Sequence, residues 1–420
     1  MTATKITRRA AIRAVGGLSL ASITAAAQTS PGLQVGRPTG RQLPDKTSFV
    51  PSGITYLDSG SQHPVTTGAK AAVDSYLASR MLDPKSAGYS RGDDAVRQKF
   101  AQLINAADKD EIAFVPSTMA GEQMVLRGLG LPYTGGHVVT DTLHFFGSLP
   151  IYEELSRQGV DVTWLHAKDG RILLSDMKQA IRNDTKLVAL SSVSTINGFE
   201  HDLKKVCDIA HAKGALVYAD MIHGAGCVPM DVRAVGVDFA ACATYKWLMG
   251  DFGLGFIYAR KEAQGRLRRT EFGYYGVGAF ETHIYPFDPP GTRIADYTFH
   301  DSAEGRFAHG TYAHAVVVQL GHSLDYIMGI GVPAIQAHAQ TMTNHLKLEL
   351  PRLGYALMTP PETTTPIVTC ALENAREKIG SRLAAANVRI TIARNRFRIT
   401  PSVFNDAADI ERFLSVVGRA

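Results

Sequence analysis

Short apolar runs, each closed by a polar or glycine-containing turn, recur at residues 112–115, 137–140, 160–165, 186–191, 215–219, 237–243 and 255–260. Runs of this length predict strands buried on both faces. Helical periodicity runs over 94–105 and 120–129. The alternation predicts a mostly parallel sheet covered by helices. Residues 267–302 break it, with Tyr274-Tyr275 and Pro289-Pro290 among many aromatic, glycine and proline positions. Aromatics are unfavourable to leave in water, so this stretch reads as a long functional loop rather than disorder. Two long helices are predicted over 313–328 and 332–350. A short α/β unit then closes the chain, with strands near 365–372 and 396–400 and an amphipathic helix over 407–417. No internal repeat is visible. The expected organisation is a leader at 1–27, an irregular arm at 28–48, a large domain at 49–330 and a small C-terminal domain at 331–420.

Composition changes this picture little, but the N-terminus changes it more. The first 27 residues carry Lys5, Arg8, Arg9 and Arg13 and no acid, so the formal net charge of +5 falls to about +1 without them. That balance gives no basic face for nucleic acid. Thr7-Arg8-Arg9 precedes a weakly apolar run, and Ala25-Ala26-Ala27 offers a small-residue cleavage site. The pattern resembles a twin-arginine signal, which implies export of a folded protein to the periplasm. No later stretch of about twenty apolar residues follows, so no stable membrane anchor is expected. Cys207, Cys227, Cys242 and Cys370 show no metal-ligand spacing.

The chemistry concentrates between residues 214 and 260. One apolar run ends in Asp220, the next ends just before Lys246, and a third follows at once. In an open sheet, residues just past strand ends face the ligand crevice. A carboxylate and an amine delivered there suit pyridoxal phosphate: the amine holds the aldehyde carbon and the acid keeps the pyridine nitrogen protonated. Ser117-Thr118-Met119 follows a strand and opens a helix, an arrangement suited to a phosphate group and equally to a plain helix cap.

Asp220, His223, Val237-Asp238-Phe239, Lys246 and Gly253-Leu254-Gly255-Phe256 occur in the order typical of the class V, fold-type I pyridoxal phosphate enzymes. The chain resembles that family from about Thr55 to its C-terminus. Its Asp-x-x-His form looks closer to the isopenicillin N epimerase and C–S lyase branch than to the cysteine desulfurases. The resemblance implies an α/β fold with a large cofactor domain and a smaller C-terminal α/β domain. It also implies catalytic roles for Lys246, Asp220 and His144, the last stacking on the pyridine ring, with Phe145 as the alternative if the register slips by one. Cofactor contacts are implied for Ser117, Thr118, Met119, Asn197, His223 and Tyr245. Thr311 would reach the phosphate of a neighbouring subunit in a homodimer. Tyr245 stands where the family has His, and Met119 where it has a hydroxyl. Arg398 matches the arginine that binds a substrate α-carboxylate, and Arg396, two residues earlier, points to the same face. His63 lies near the presumed pocket with Gln62, Tyr274 and Tyr275.

The function expected on these grounds is an exported enzyme acting on a small-molecule or peptide amino group, by lyase, epimerase or transaminase chemistry. Modification of a secreted peptide or siderophore precursor is the runner-up. A non-catalytic binding protein of the same fold is disfavoured by the intact Lys246 and Asp220. No cysteine lies between Ile379 and Arg398, where desulfurases carry a persulfide-forming thiol on a mobile loop, so desulfurase activity is expected to be excluded. A dinucleotide-binding oxidoreductase is excluded because Gly253-Leu254-Gly255 lacks the third glycine and the helix after it.

Overall fold

The computed structural model describes residues 42–85 and 93–418. The leader at 1–27 and most of the arm at 28–48 therefore lie outside the described residues.

Seven strands form the main sheet: β1 (Ile112–Val115), β2 (His137–Asp141), β3 (Asp161–Leu165), β4 (Thr185–Ser191), β5 (Leu216–Asp220), β6 (Phe239–Ala243) and β7 (Gly255–Ala259). Their order is β1-β7-β6-β5-β4-β2-β3. The five strands from β6 to β3 run parallel, and β7 is antiparallel to both neighbours. Apolar runs become strands here because both faces are covered, and alternate residues part to opposite sides. Val188, Leu190, Val217 and Ala219 enter one core; Leu187, Ala189 and Tyr218 enter the other. Phe256 on β7 stacks on Phe100 at 4.0 Å between ring centres. The strand predicted at 237–243 begins two residues late, at Phe239. Asp238 is diverted to accept the Val217 N–H at 2.8 Å and to pair with Arg260.

The order reverses between β2 and β4, since the chain runs outward to β3 and then returns. Such a switch point leaves a crevice at the carboxyl ends of the strands. Asp141, Ser191, Asp220 and Ala243 are the last residues of β2, β4, β5 and β6. Helix α1 (Thr118–Gly128) follows β1 and packs on β6. Gly121 allows the close approach: a Cβ there would lie 3.0 Å from the Ala241 Cβ.

Residues 267–302 contain a two-stranded antiparallel hairpin of β8 (Val277–Thr282) and β9 (Ala295–Phe299). The expected loop is thus partly strand, and its aromatics stay in water: Phe280 is 48% exposed, Tyr297 59% and Phe287 fully so. Helices α2 (His314–Ile330) and α3 (Val332–Arg352) then carry the chain to a second sheet. Among the described residues no single helix is long and apolar enough to cross a membrane. The second sheet is antiparallel: β10 (Ala356–Leu357), β11 (Val368–Ala371), β12 (Thr391–Ile392) and β13 (Arg396–Ile399), ordered β10-β11-β13-β12. With α3 and α4 (Ala407–Val417) it encloses its own core around Phe397 and Phe413. The result is an α/β fold with a large mixed, mostly parallel domain and a smaller C-terminal α/β domain.

Candidate active site

Lys246 sits three residues past β6, buried in the crevice. Its Nζ lies 2.9 Å from His223 Nε2 and near the rings of Phe145 and Tyr245. Burial is the main cause that lowers the Lys246 ammonium to about 8, opposed by the Asp220 charge. Asp220, at the end of β5, accepts the Ile222 N–H at 2.9 Å. Burial pushes its carboxyl up to about 6, with His144 and Lys246 pulling the other way. Attraction to His144 and Lys246 does not offset burial at this carboxyl, and a pyridinium N–H would supply a further cationic partner. The amine, for its part, gives up its proton near pH 8, well below an ordinary lysine.

His223 has both nitrogens engaged. The indole N–H of Trp247 donates to His223 Nδ1 at 3.4 Å. Indole is a donor only, so in the neutral ring Nδ1 accepts and the proton belongs on Nε2, toward Lys246 Nζ, which can accept it only as the free amine. Burial and the nearby Lys246 and Arg398 charges hold His223 well below the ordinary histidine range, which agrees with a neutral ring.

The opposite wall is Arg398 on β13, the buried member of the Arg396/Arg398 pair. Its Nη1 donates to the carbonyl of Thr195 at 3.1 Å and to the Thr195 hydroxyl. Its Nη2 donates to Ser61 Oγ at 2.8 Å and Thr391 Oγ1 at 3.0 Å. The nearest carboxylate, Asp58, stands 3.7 Å away, and the buried Nε has no hydrogen-bond partner. A guanidinium ringed by neutral hydroxyls keeps affinity for a planar anion such as a carboxylate.

At the start of α1, Ser117 caps the helix by accepting the Ala120 N–H at 3.1 Å. Thr118 Oγ1 accepts the Ala243 N–H at 2.9 Å and so ties α1 to the end of β6. Thr118 is thereby committed to structure. What remains for a phosphate is the Ser117 hydroxyl and the first-turn N–H groups of Thr118 and Met119, which a helix leaves without internal partners. The site thus fits pyridoxal phosphate at three points: amine, acid and helix start.

Other expected residues are placed differently. The His63 ring is buried with its Nδ1 2.8 Å from the Pro64 carbonyl and its Nε2 2.7 Å from Ser402 Oγ. It packs among Phe49, Trp247 and Phe404, so both ring nitrogens and the ring itself are engaged within the chain. Asn197 donates to the carbonyls of Gly170 and Met358 and accepts the Phe199 N–H. Its amide holds three backbone segments together rather than standing open to a cofactor. Tyr245 stacks on Phe252 at 4.4 Å. Thr311 is exposed beside a groove of about 160 Å³ with Tyr275, His309 and Tyr312, apart from the residues around Lys246. His144 is fully buried between Ser191 Oγ and Glu122 Oε1, each 2.9 Å away. Sequence reasoning missed Ser61, Thr391, Asp58 and Glu122, which carry no motif.

The aminotransferase class-V family model matches residues 73–392. A probable cysteine desulfurase of Methanothermobacter thermautotrophicus is 30% identical over 298 residues, 69% of this chain and 71% of that protein. Among solved structures, the Escherichia coli cysteine desulfurase CsdA aligns with a TM-score of 0.75 at 18% identity, covering 89% of this chain and 96% of its own. The cystine C–S lyase C-DES, in complex with cysteine persulfide, gives 0.76 at 18% identity, covering 87% of this chain and 97% of its own. These relatives overturn the expectation that desulfurase chemistry is excluded. The expectation rests on the absence of one loop thiol, whereas the likeness to a probable cysteine desulfurase extends over 69% of the chain.

Proposed function

Because the chain belongs to the class-V aminotransferase family of pyridoxal phosphate-dependent enzymes, we propose that it cleaves the carbon–sulfur bond of a cysteine-type amino acid. The observation that carries this reading is the pairing, across one crevice, of a buried amine titrating near 8 with a hydroxyl-ringed guanidinium. One takes a proton from the α-carbon while the other holds the α-carboxylate. Sulfur enters from the relatives, which are named for desulfuration and C–S lysis.

Pyridoxal phosphate, when bound, supplies the electron sink that lets bonds at the amino acid's α- and β-carbons break. The chain supplies the rest. Lys246 Nζ would hold the cofactor's aldehyde carbon and would move the substrate's α-proton as general base. Asp220 would keep a proton on the pyridine nitrogen, and His223 would donate to the phenolic oxygen. Ser117 and the α1 start hold the phosphate, and Arg398 orients the carboxylate. All four thiols are buried, so sulfur removed by desulfuration would pass to a thiol outside this chain, whereas sulfur removed by elimination needs no acceptor.

Assembly and location extend the proposal. A homodimer is supported by the apolar hairpin left in water, with Phe280, Ile294 and Tyr297 exposed on it, and by Thr311 lying on the surface, where it can meet a second copy. Export is supported by Arg8-Arg9 and the small residues at Ala25-Ala26-Ala27. Replacing both arginines by lysine is expected to leave folded, cofactor-bound protein in the cytoplasm; arrival in the periplasm would defeat the twin-arginine reading.

The function is tested by incubating cofactor-loaded protein with L-cysteine or L-cystine and a small thiol. From L-cysteine the expected products are alanine with a persulfide on the added thiol, or pyruvate, ammonia and sulfide if the sulfur is eliminated. Elimination from L-cystine gives cysteine persulfide with pyruvate and ammonia, so alanine or pyruvate marks turnover. Release of neither from either substrate would overturn it.

A further inference from the structure

One buried ionisable group takes no part in this chemistry. Glu122 lies on α1, about 1% exposed, one turn past the phosphate-binding start of the helix. Glutamate is almost never this buried unless paired. Its Oε1 accepts from His144 Nε2 at 2.9 Å and from the Tyr152 hydroxyl, and its Oε2 accepts from Ser148 Oγ at 2.6 Å. The three donors come from the turn after β2 and from the helix Leu149–Arg157 that it leads into. Across the ring, His144 Nδ1 lies 2.9 Å from Ser191 Oγ, which also accepts the Phe145 N–H at 3.1 Å. Ser191 ends β4 and is the register partner of Asp220 on β5. A continuous hydrogen-bonded row therefore runs from Glu122 through His144 to the strand end beside Asp220.

We infer that Glu122 is a positioning residue for the cofactor ring: it fixes His144 through Nε2 and keeps that imidazole protonated, so that a cation covers the pyridine. The inference rests on the reading of this crevice as the pyridoxal phosphate site, with His144 over the ring. The carboxylate and imidazole are each buried in a place where a lone charge would be strongly disfavoured, so each needs the other. Burial alone would push Glu122 up and His144 down. Their mutual attraction, helped by the Ser148 and Tyr152 hydrogen bonds to Glu122 and by the Asp220 and Asp141 charges on His144, outweighs burial in both, holding the carboxyl below and the imidazole above the ordinary values. The other groups facing His144 are Asp220 from β5, Asp141 from β2 and the Tyr152 hydroxyl. Both carboxylates favour the cation too. Asp141 also lies 3.2 Å from His201.

The decisive variant is Glu122→Gln, which keeps shape and hydrogen-bonding reach but removes the charge. In the apoprotein, the NMR titration of the His144 ring is expected to fall by about one pH unit or more. In the cofactor-loaded protein, the midpoint of the pH-dependent visible absorbance should rise by roughly half a unit, because a cation near the Lys246-bound cofactor is lost. In a His144→Asn background the same change should not move that midpoint, since the effect passes through the imidazole. Glu122→Asp retains the charge and should fall between wild type and Gln; it serves if the Gln variant does not fold. Reduced melting temperature with unchanged His144 titration and unchanged absorbance midpoint would reduce Glu122 to a core hydrogen bond and overturn the inference. If borohydride instead fixes the cofactor away from Lys246, the reading of the crevice fails first, independently of Glu122.

Discussion

The crevice at the strand ends and the hairpin at 277–299 invert each other. In the crevice, Glu122, His144, Asp220, His223, Lys246 and Arg398 are charged or polar and nearly dry. In the hairpin, Phe280, Tyr285, Phe287, Ile294 and Tyr297 are apolar or aromatic and wet. Both arrangements are unfavourable for an isolated chain, for opposite reasons: desolvation of charge in one, hydration of apolar surface in the other. The first is relieved by a ligand carrying complementary charge, the second by a partner surface. Substitutions in the two regions should therefore separate chemistry from assembly.

The largest effect is expected at Lys246. Lys246→Ala should lower turnover by at least about a thousandfold, because both the anchor and the general base are lost, while the sedimentation behaviour stays that of the wild type. Turnover within tenfold of wild type would place the base elsewhere. Arg398→Gln should cost about 2 kcal/mol or more of substrate binding, the range for a hydrogen-bonded charge, and so raise KM by tenfold to a hundredfold with a smaller change in kcat. An unchanged KM would pass the role to Arg396.

In the hairpin the readout is reversed. Phe280→Ser combined with Ile294→Ser should shift the protein toward monomer in sedimentation velocity, by an amount that grows on dilution. The tyrosines and Phe287 left in place should keep the change partial. A wild-type protein that is monomeric at micromolar concentration would remove the assembly half of the contrast.

These sites differ in how far the chain itself reveals them. Asp220 and Lys246 were legible because apolar runs end at them, and strand ends are where an α/β sheet binds its ligand. Helix α4 was read to the residue, since its period and Asp406 cap are local. Glu122 was not legible: in a helical segment it looks like any solvated acid, and only the fold brings His144, Ser148 and Tyr152 to it. Ser61 and Thr391 meet at Arg398 from positions 330 residues apart, a closure that no local pattern encodes. The internal bonds of His63 and Asn197 were hidden for the complementary reason. A polar residue in a loop looks the same whether it serves a ligand or ties backbone segments together, as Asn197 ties Gly170 to Met358. The hairpin strands escaped because among the described residues nothing covers their apolar side chains, so the usual alternation is absent.

Smaller effects sharpen the crevice side. Asp220→Asn should stabilise the apoprotein above pH 6 by on the order of 2–3 kcal/mol while impairing catalysis. The carboxyl is raised from 3.8 to about 6, so folding binds a proton between those values and this group's contribution to stability falls as pH rises through them. A denaturant midpoint unchanged at pH 8 would contradict the desolvation argument. Lys246 has the opposite slope. Its ammonium is lowered from 10.5 to about 8, so the unfolded chain binds more protons between pH 8 and 10.5, and stability rises with pH there. Correspondingly, modification of Lys246 by an amine-directed electrophile in the apoprotein should be half-maximal near pH 8, against about 10.4 for an ordinary lysine.

The most direct test is chemical. Protein loaded with pyridoxal phosphate should absorb in the visible, and borohydride should bleach that band while fixing the cofactor covalently. Peptide mapping by mass spectrometry is predicted to find the adduct on Lys246, at the end of β6 facing Asp220. A reduced cofactor found on another lysine of the wild-type chain would contradict the assignment of this crevice as the active site.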